Sequence, residues 1–229
     1  MSITSTSSSC REGHTALMVV DLQRYYIDDD APFFRYYQER GADNYIKDRC
    51  TNVVIPNTVK LLEFFRSEQL PVIFLRLCGE EEDRSDLHHF FQQSHNRAKT
   101  NGTDGLYPLS SEPFADVVPE CAPQDGELIV NKVTFSGFTS TSLEEELHQL
   151  GVERLVFCGL ATSQCVDTTA RDASDRGFHV IHVEDAQADY SEASHRAALY
   201  ASQGVCGGAI SDTATLLKSD YLKIFPQVM

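Results

Sequence analysis

One segment of the sequence, residues 154–177, constrains the fold more than any other, because it joins an apolar strand to a helix through a short turn. The apolar run at residues 154–160 predicts a strand buried on both faces, and residues 159–164 predict a tight turn. We expect the next helix to open at Cys165. A thiol at a helix N-terminus has a lowered pKa, because the N–H groups and dipole of the first turn stabilise an anion. The segment therefore predicts a reactive cysteine, whereas a cysteine taken at random is more often a plain packing residue.

Beyond this segment, apolar runs alternate with amphipathic stretches along the chain. The apolar runs predict six strands, at residues 16–20, 72–77, 128–131, 154–160, 179–184 and about 207–210. The intervening patterns predict helices at residues 51–69, from Ser140 or Thr141 to Leu150, from Cys165, at 191–203 with Ser191 as N-cap, and from Ser211 or Asp212. Thr141 and Glu144 have the spacing of a capping box. This alternation predicts an α/β fold of three layers, in which a six-stranded parallel sheet lies between helices.

Two stretches fit this pattern less well. Residues 22–50 are dense in aromatic side chains, which either line a pocket or cover one edge of the core. Residues 78–126 form a long acidic excursion with about one short helix. Because loops of this length in compact domains usually cover an active site or contact another subunit, we expect one of those two roles here.

Composition limits the possible partners and the number of domains. A chain of 229 residues fits a single domain, which we place at residues 14–229 after a disordered tail at residues 1–13. The net charge of −15 disfavours nucleic acid and anionic membranes, and leaves small molecules or proteins as partners. Seven cysteines without a CxxC pair indicate a reducing compartment, and the first residues lack the apolar core of a secretory signal. We therefore expect a cytoplasmic protein that does not span a membrane.

Three polar residues fall at the predicted ends of strands. Asp21 follows the first strand, Lys132 ends the third, and Cys165 follows the fourth. In open α/β sheets, ligands bind outside the carboxyl ends of the strands, so we expect the three side chains to meet in one crevice. There a thiolate attacks an acyl carbon, the carboxylate moves the proton, and the ammonium holds the charges in place. A Cys-His pair is the alternative, but none of the eight histidines lies at a predicted strand end.

Three separated segments of the chain resemble the isochorismatase-like cysteine hydrolases. This family includes nicotinamidases, N-carbamoylsarcosine and ureidoacrylate amidohydrolases, maleamate amidohydrolase and isochorismatases. The segments are VVDLQ (19–23), VNKVTFSGFTSTSLEEELHQLGVERLVFCG (130–159) and GLATSQCVDTTARDASDRGFHVIHVEDA (159–186). They occur in the order found in the family, and the resemblance covers residues 14–217.

The resemblance implies a role for each of the three residues at strand ends. It also implies a hydrolase without a cofactor. Asp21 is the implied proton carrier, Lys132 its electrostatic partner and Cys165 the nucleophile. A cis peptide between Leu160 and Ala161 is implied, with the N–H groups of Ala161 and Cys165 as the oxyanion hole. The implied substrate is a small molecule whose C–N bond is cleaved, and family members are commonly dimers or tetramers.

Four further residues are candidates for substrate contact, namely Gln23, Tyr25, Tyr26 and Phe138. A structural hydrogen bond is the preferred alternative for Gln23, and a core role is equally compatible with the aromatic residues.

Departures from the patterns of individual family members leave the substrate open. Nicotinamidases carry an Asp-x-His metal motif after the second strand, where this chain has Arg76-Leu77-Cys78-Gly79, so we predict no metal. Asp86, His88, His89 and His95 are the nearest potential ligands. Residues 21–34 resemble the N-terminal segment of isochorismatases, in which an aspartate protonates a vinyl ether to give 2,3-dihydroxy-2,3-dihydrobenzoate and pyruvate. We therefore keep isochorismatase as the alternative to an amidohydrolase, with a binding protein that has lost catalysis as a third hypothesis.

Overall fold

Six parallel strands form one sheet at the centre of the protein. The computed structural model describes residues 14–204 and 208–219. The sheet has the strand order β3-β2-β1-β4-β5-β6, and every neighbouring pair is parallel. The strands are β1 (His14–Val20), β2 (Val72–Leu77), β3 (Leu128–Lys132), β4 (Val152–Leu160), β5 (His179–Ala188) and β6 (Ala209–Ser211). The predicted three-layer α/β fold with a six-stranded parallel sheet is confirmed.

Helices cover both faces of this sheet. They are α1 (Pro32–Gln38), α2 (Tyr45–Arg49), α3 (Ile55–Ser67), α4 (His89–Thr100), α5 (Leu143–Gln149), α6 (Asp167–Asp175), α7 (Glu192–Ser202) and α8 (Thr213–Lys218). Successive residues of β1 point to opposite faces, as strand geometry requires. Leu17 and Val19 pack in the core that contains α3, and Met18 and Val20 pack in the core that contains α5 and α6. This double burial explains why β1 is an uninterrupted apolar run.

The centre of the sheet is also where its strands approach most closely. Val20 at the end of β1 lies opposite Gly159 near the end of β4. Gly159 has a φ of +105°, and a Cβ atom there would stand 2.0 Å from the carbonyl oxygen of Val20. Because no side chain fits in that gap, glycine is required at this position. The close contact sets the spacing between the ends of β1 and β4.

Several predicted helix boundaries differ from the structure. The helix predicted at residues 51–69 is part of a longer helical run, in which a π-helical segment (Cys50–Val54) joins α2 to α3. The predicted capping box is wrong, because the Glu144 carboxylate pairs with Arg176 instead of the backbone. The Thr141 hydroxyl accepts from the N–H of Leu143 at 3.2 Å. Ser191 caps α7, as predicted, and Asp212 caps α8, whose start was expected at Ser211 or Asp212.

The excursion at residues 78–126 contains more regular structure than its sequence indicates. It includes the twelve-residue helix α4 and two short 3-10 turns, Pro113–Ala115 and Pro119–Cys121. Phe91 is the largest buried residue of α4, and it packs on Tyr107 and Phe135 with ring centroids 5.2 and 4.6 Å apart. The excursion therefore folds back onto the carboxyl edge of the sheet.

Some expectations fall outside the described residues. These are the disordered tail at residues 1–13, the start of the sixth strand at residue 207 and the final residues of the proposed domain. None of the helices that the structure describes is long and apolar enough to cross a membrane.

Candidate active site

Asp21, Lys132 and Cys165 lie near the carboxyl ends of β1, β3 and β4, where the order in which strands are added to the sheet reverses. The chain winds outward from β1 through β2 to β3, and then returns to place β4 on the other side of β1. Adjacent strands whose connections run in opposite directions leave a crevice at their carboxyl ends, and this is where open α/β sheets bind ligands. Asp21 directly follows β1, and Cys165 lies in the turn after β4. Lys132 is the last residue of β3.

The ammonium group of Lys132 connects the other two side chains. Its Nζ atom lies 2.8 Å from Oδ2 of Asp21 and 3.3 Å from Sγ of Cys165. A third contact joins Nζ to the carbonyl oxygen of Thr134 at 3.0 Å. An ammonium has three protons to donate, so each of them has an acceptor in this arrangement. Three distant parts of the chain thus supply an acid, an amine and a thiol within hydrogen-bond distance.

All three groups are buried, whereas the sequence argument expected them to face an open crevice. Asp21 is 0% exposed and Cys165 is 1% exposed. Loss of solvent and then neighbouring groups, Cys165 among them, raise the pKa of the phenols of Tyr26, Tyr107 and Tyr190, although Tyr190 keeps 39% of its surface exposed. Aromatic side chains from the segment after β1, from the excursion and from the end of β5 therefore cover the site.

Burial also reverses the predicted direction of the pKa of Cys165. Desolvation raises the pKa of the thiol, and the nearby Asp21 carboxylate raises it further, while Lys132 lowers it. The helix dipole does not overcome these effects, so the prediction of a lowered pKa is wrong. The raised pKa favours the neutral thiol, so the sulfur needs a proton acceptor to become a nucleophile.

Asp21 is placed to be that acceptor. Burial raises the pKa of its carboxyl group, and the charge of Lys132 opposes the shift. For Lys132, burial lowers the pKa, but the Asp21 carboxylate and then the hydrogen-bonded Cys165 more than offset that effect and the pKa is raised. Asp21 has a φ of +46°, a backbone conformation that few residues other than glycine adopt. The turn begins directly at this residue and points its carboxylate toward Lys132.

The turn that carries the thiol is helical before α6 begins. Residues Thr162–Val166 form a single π-helical turn that continues into α6, so Cys165 lies within this turn and does not open the helix. The peptide between Leu160 and Ala161 is cis, as predicted. We call residues 161–166 the nucleophile turn. The carbonyl oxygen of Cys165 accepts from the Thr169 hydroxyl at 2.6 Å, which ties the nucleophile turn to α6.

Two buried polar atoms, one within the group of Asp21, Lys132 and Cys165 and one beside it, lack hydrogen-bond partners. Among the residues that the structure describes, neither Oδ1 of Asp21 nor the hydroxyl of Tyr25 has a hydrogen-bond partner. Tyr25 is 1% exposed, and the Asp21 charge is the second cause, after burial, of the raised pKa of its phenol. A buried polar atom without a partner costs about 1–3 kcal/mol. Such atoms in a candidate active site mark where a ligand supplies the missing hydrogen bonds.

Gln23 does not have a free amide for substrate. Its Oε1 accepts from the N–H of Leu77 at 2.8 Å, and its Nε2 donates to the carbonyls of Leu77 and Ala115 at 3.2 and 2.8 Å. Both amide protons and the oxygen are therefore used by the backbone, which is the structural role that the sequence favoured. Contact between Gln23 and substrate stays a prediction.

The two remaining candidates differ in location. Tyr26 stacks beside Tyr25 with ring centroids 4.1 Å apart, in the aromatic group near Cys165. Phe138 lies in the core between the sheet and α5, where its ring stacks on Phe178 at 5.9 Å. Phe138 therefore packs in the same core cluster as Cys165, and its contact with substrate stays a prediction.

Two of the four potential metal ligands of the excursion, His88 and Asp86, accept hydrogen bonds from the backbone. His88 Nδ1 accepts from the N–H of Phe90 at 3.2 Å, and Asp86 accepts from the N–H of Glu80 at 2.8 Å. Residues 14–204 and 208–219 contain no group of three His, Cys, Asp or Glu side chains arranged to hold a metal ion.

Sequence reasoning missed Tyr107 and Tyr190. Tyr190 follows β5, which ends at Ala188 and not at residue 184 as predicted. A correct strand end would have marked Asp189, which directly follows β5 as Asp21 follows β1, and with it the adjacent Tyr190. Tyr107 lies in the excursion and shows no periodic signal, so only the folded structure brings it to the site.

Comparisons with known proteins agree with this fold. Residues 15–215 match the family model described as the isochorismatase domain, and the chain belongs to the isochorismatase family of hydrolases. The ureidoacrylate amidohydrolase RutB of Rhizobium rhizogenes is 39% identical over 183 residues, which cover 77% of this chain and 71% of that protein. The isochorismatase family protein YwoC of Bacillus subtilis, which is itself uncharacterised, is 29% identical over 81% of this chain and 83% of its own length.

Solved structures show the same fold. The crystal structure of a cysteine hydrolase from Pseudomonas syringae pv. phaseolicola superposes with a TM-score of 0.74 at 26% identity. The match covers 90% of this chain and 91% of that chain.

Proposed function

We propose that this hydrolase uses Cys165 as a nucleophile to cleave the C–N bond of a small amide, carbamoyl or ureido compound. One observation carries the proposal: Lys132 Nζ lies between Asp21 Oδ2 and Cys165 Sγ, at 2.8 and 3.3 Å. The similarity to ureidoacrylate amidohydrolases, at 39% identity for the protein from Rhizobium rhizogenes, supports amide hydrolysis as the reaction.

The first step is formation of the thiolate. Because burial keeps Cys165 protonated, the proton has to leave as the sulfur attacks the carbonyl carbon. Asp21 takes this proton, since its pKa is also raised by burial. Lys132 stabilises the negative charge while it moves from the carboxylate to the sulfur and then to the substrate oxygen.

The second step is loss of the amine. The backbone N–H groups of Ala161 and Cys165 are the proposed oxyanion hole for the tetrahedral intermediate. Protonated Asp21 returns its proton to the leaving nitrogen as the C–N bond breaks, which leaves a thioester on Cys165. Water, deprotonated by Asp21, then attacks the thioester and releases the acid product and the free thiol.

Tyr25 and Tyr26 are the proposed substrate contacts. The unpartnered hydroxyl of Tyr25 and the unpartnered Oδ1 of Asp21 supply one donor and one acceptor, which match the oxygen and the N–H of an amide. Because the thiol is only 1% exposed, substrate entry requires the surrounding tyrosines to move. The proposed substrate of these contacts is a small molecule.

The test is a substrate screen on two matched proteins. Wild type and Cys165→Ala are incubated with ureidoacrylate, maleamate, N-carbamoylsarcosine, nicotinamide and isochorismate, and ammonia, amine and pyruvate release are measured. We expect C–N cleavage of at least one amide by wild type and loss of that activity in the variant. Equal turnover by the two proteins contradicts the nucleophile. Pyruvate release from isochorismate that survives in Cys165→Ala replaces the proposal with the isochorismatase alternative.

Assembly remains a prediction. We propose a homodimer or homotetramer, since the resemblance to the family implies one. Sedimentation velocity of the full chain checks this, and a monomer at micromolar concentration contradicts it. Separately, the net charge of −15 leads us to expect neither nucleic acid nor a membrane as a partner.

A further inference from the structure

A chain of hydrogen bonds connects the nucleophile turn to Arg49 and His195, two residues outside the group of Asp21, Lys132 and Cys165. The Thr162 hydroxyl lies 2.8 Å from Nδ1 of His195 on α7, and Nε2 of the same ring lies 3.0 Å from Nη2 of Arg49. Arg49, the last residue of α2, also donates to the carbonyls of Gln187 at 2.8 Å and Glu184 at 3.0 Å. Thr162 is 0% exposed and His195 is 4% exposed. Three separate elements therefore converge on Thr162, the second residue of the nucleophile turn.

The donors and acceptors in this chain match in only one way. A guanidinium group only donates, so Nε2 of His195 must be the unprotonated nitrogen that accepts from Arg49. The Thr162 hydroxyl donates its single proton to the carbonyl oxygen of Ala188 at 3.0 Å, so it must accept from Nδ1–H of His195. The result is a neutral imidazole with one fixed tautomer. Consistently, burial and then the charge of Arg49 lower the pKa of His195 to about 4.

A second bond fixes the neighbouring residue of the turn. The N–H of Ser163 donates to Oδ2 of Asp189 at 2.6 Å, and the other carboxylate oxygen accepts from the N–H of Tyr190 at 2.7 Å. Asp189 is 1% exposed and follows the last residue of β5. Both anchors therefore hold the start of the nucleophile turn, while Cys165 near its end lies 3.3 Å from Lys132.

We propose that Arg49 and His195 are positioning residues for Cys165: through the Thr162 hydroxyl they hold the nucleophile turn in the place that brings the sulfur to Lys132 and Asp21. This inference rests on the proposed function of Cys165 as nucleophile. Neither residue touches the reacting atoms, and both act on the geometry of attack. A misplacement of about 1 Å costs roughly a hundredfold in rate, so small movements of this turn matter.

The central experiment uses two variants at one position. Thr162→Val keeps the shape of the side chain and removes the hydroxyl, whereas Thr162→Ser removes the methyl group and keeps the hydroxyl. We expect Thr162→Val to lower kcat by about 10- to 100-fold with KM within about threefold of wild type. We expect Thr162→Ser to recover most of the lost kcat. Equal kcat values for the two variants overturn the proposal.

His195 provides an independent pair of variants. His195→Phe keeps a ring in the same space and removes both nitrogen contacts, and we expect the same loss in kcat as for Thr162→Val. The double variant His195→Phe with Thr162→Val should lose little more than either single variant, because the two residues belong to one chain of bonds. Leu199→Val, one turn further along α7, is the packing control, and it should leave kcat within about threefold of wild type. Losses in kcat that simply multiply in the double variant overturn the proposal.

A readout without substrate separates this inference from the proposed function. The rate at which iodoacetamide alkylates Cys165 is measured by mass spectrometry of the intact protein and its peptides, on all variants in their folded state. We expect the alkylation rate to fall in parallel with kcat for Thr162→Val and His195→Phe, and to be unchanged for Leu199→Val. Wild type that hydrolyses an amide while Thr162→Val alkylates at the wild-type rate overturns the positioning role alone. Wild type that neither alkylates at Cys165 nor hydrolyses an amide overturns both.

Discussion

Two buried cysteines from the same segment differ in nearly everything except burial. Cys158, in the middle of β4, is 0% exposed and packs in the core that contains α3, where its Sγ atom lies 3.5 Å from the carbonyl oxygen of Met18. Cys165, in the turn after the same strand, is 1% exposed and lies against Lys132. Burial raises the pKa of both thiols. The neighbours, and not the degree of burial, therefore separate the packing residue from the candidate nucleophile.

The comparison identifies what a reactive thiol needs at this depth. A helix N-terminus stabilises a thiolate by only about 0.3–1 kcal/mol when it is exposed, which is small beside the cost of desolvating the charge. Asp21 and Lys132 supply a proton acceptor and a fixed positive charge, and both are held within the same dry site. Cys158 has a carbonyl oxygen and apolar neighbours instead.

The largest expected effect is on turnover. Cys165→Ala should lower kcat for the identified amide by at least about a thousandfold, because it removes the atom that forms the thioester. Cys158→Ala should leave kcat within about threefold, because its sulfur is on the other side of the sheet. Steady-state kinetics of the two variants test this, and comparable losses would abolish the distinction between the cysteines.

The next effect is on stability, and it comes from the charges that only Cys165 has as neighbours. Asp21→Asn leaves the ammonium of Lys132 buried without its counter-charge, so we expect a loss of about 3–5 kcal/mol in the free energy of unfolding. Asp21→Asn combined with Lys132→Met should recover part of that loss, since no buried charge is left unpaired. Urea denaturation measures both. A double variant that is less stable than Asp21→Asn contradicts this account.

Cys158 and Cys165 should contribute equally to the pH dependence of the free energy of unfolding. Burial raises the pKa of Cys50, Cys78 and Cys121 from 9.0 to about 12, and it raises the pKa of Cys158 and Cys165 in the same direction. Above pH 9 the unfolded chain releases these protons while the folded chain keeps them, so the free energy of unfolding falls as the pH rises through this range.

Each buried thiol should contribute up to about 1.4 kcal/mol per pH unit to that fall. Cys158→Ala and Cys165→Ala should therefore reduce the slope equally between pH 9 and 10. Urea denaturation at several pH values checks this, with the wild type as control. A smaller effect for Cys165→Ala would mean that its thiol is already ionised in the folded protein.

The smallest effect is the packing contribution of Cys158. Cys158→Ala removes one buried sulfur from a close-packed core, so we expect a loss of about 1 kcal/mol in the free energy of unfolding at pH 7. Cys165→Ala should cost less, because the site there is shaped for a ligand. Thermal or urea denaturation distinguishes the two, and the reverse order would assign the packing role to Cys165.

The sequence predicted the centre of the site because parallel strands bring their carboxyl ends together. Asp21, Lys132 and Cys165 each follow an apolar run that is easy to recognise, so their convergence follows from the fold class alone. The burial of the thiol was not predictable in this way. The burial of Cys165 depends on how the whole chain folds, and Tyr107 and Tyr190, whose phenols interact electrostatically with the thiol, come from an excursion without periodicity and from just after a strand that is longer than its apolar run.

The sequence indicated about one short helix in residues 78–126 but not the position and length of α4, and it did not indicate the bond between Arg49 and His195. Residues 89–100 contain few apolar positions, because most of α4 faces solvent, so the helical period is weak. Arg49 and His195 are 146 residues apart in sequence, and nothing local links a guanidinium at the end of one helix to an imidazole in another.

The three hydrogen bonds of the Gln23 amide have a consequence for how such an enzyme acquires a new specificity. They clamp the end of β2 at Leu77 and the returning chain at Ala115 to a point two residues after the acid. Residues 78–114, between these two anchored points, therefore form a loop whose ends are held in place whatever its own sequence. It can be exchanged, together with α4 and Tyr107, to select a different compound while the bond-breaking apparatus stays in place.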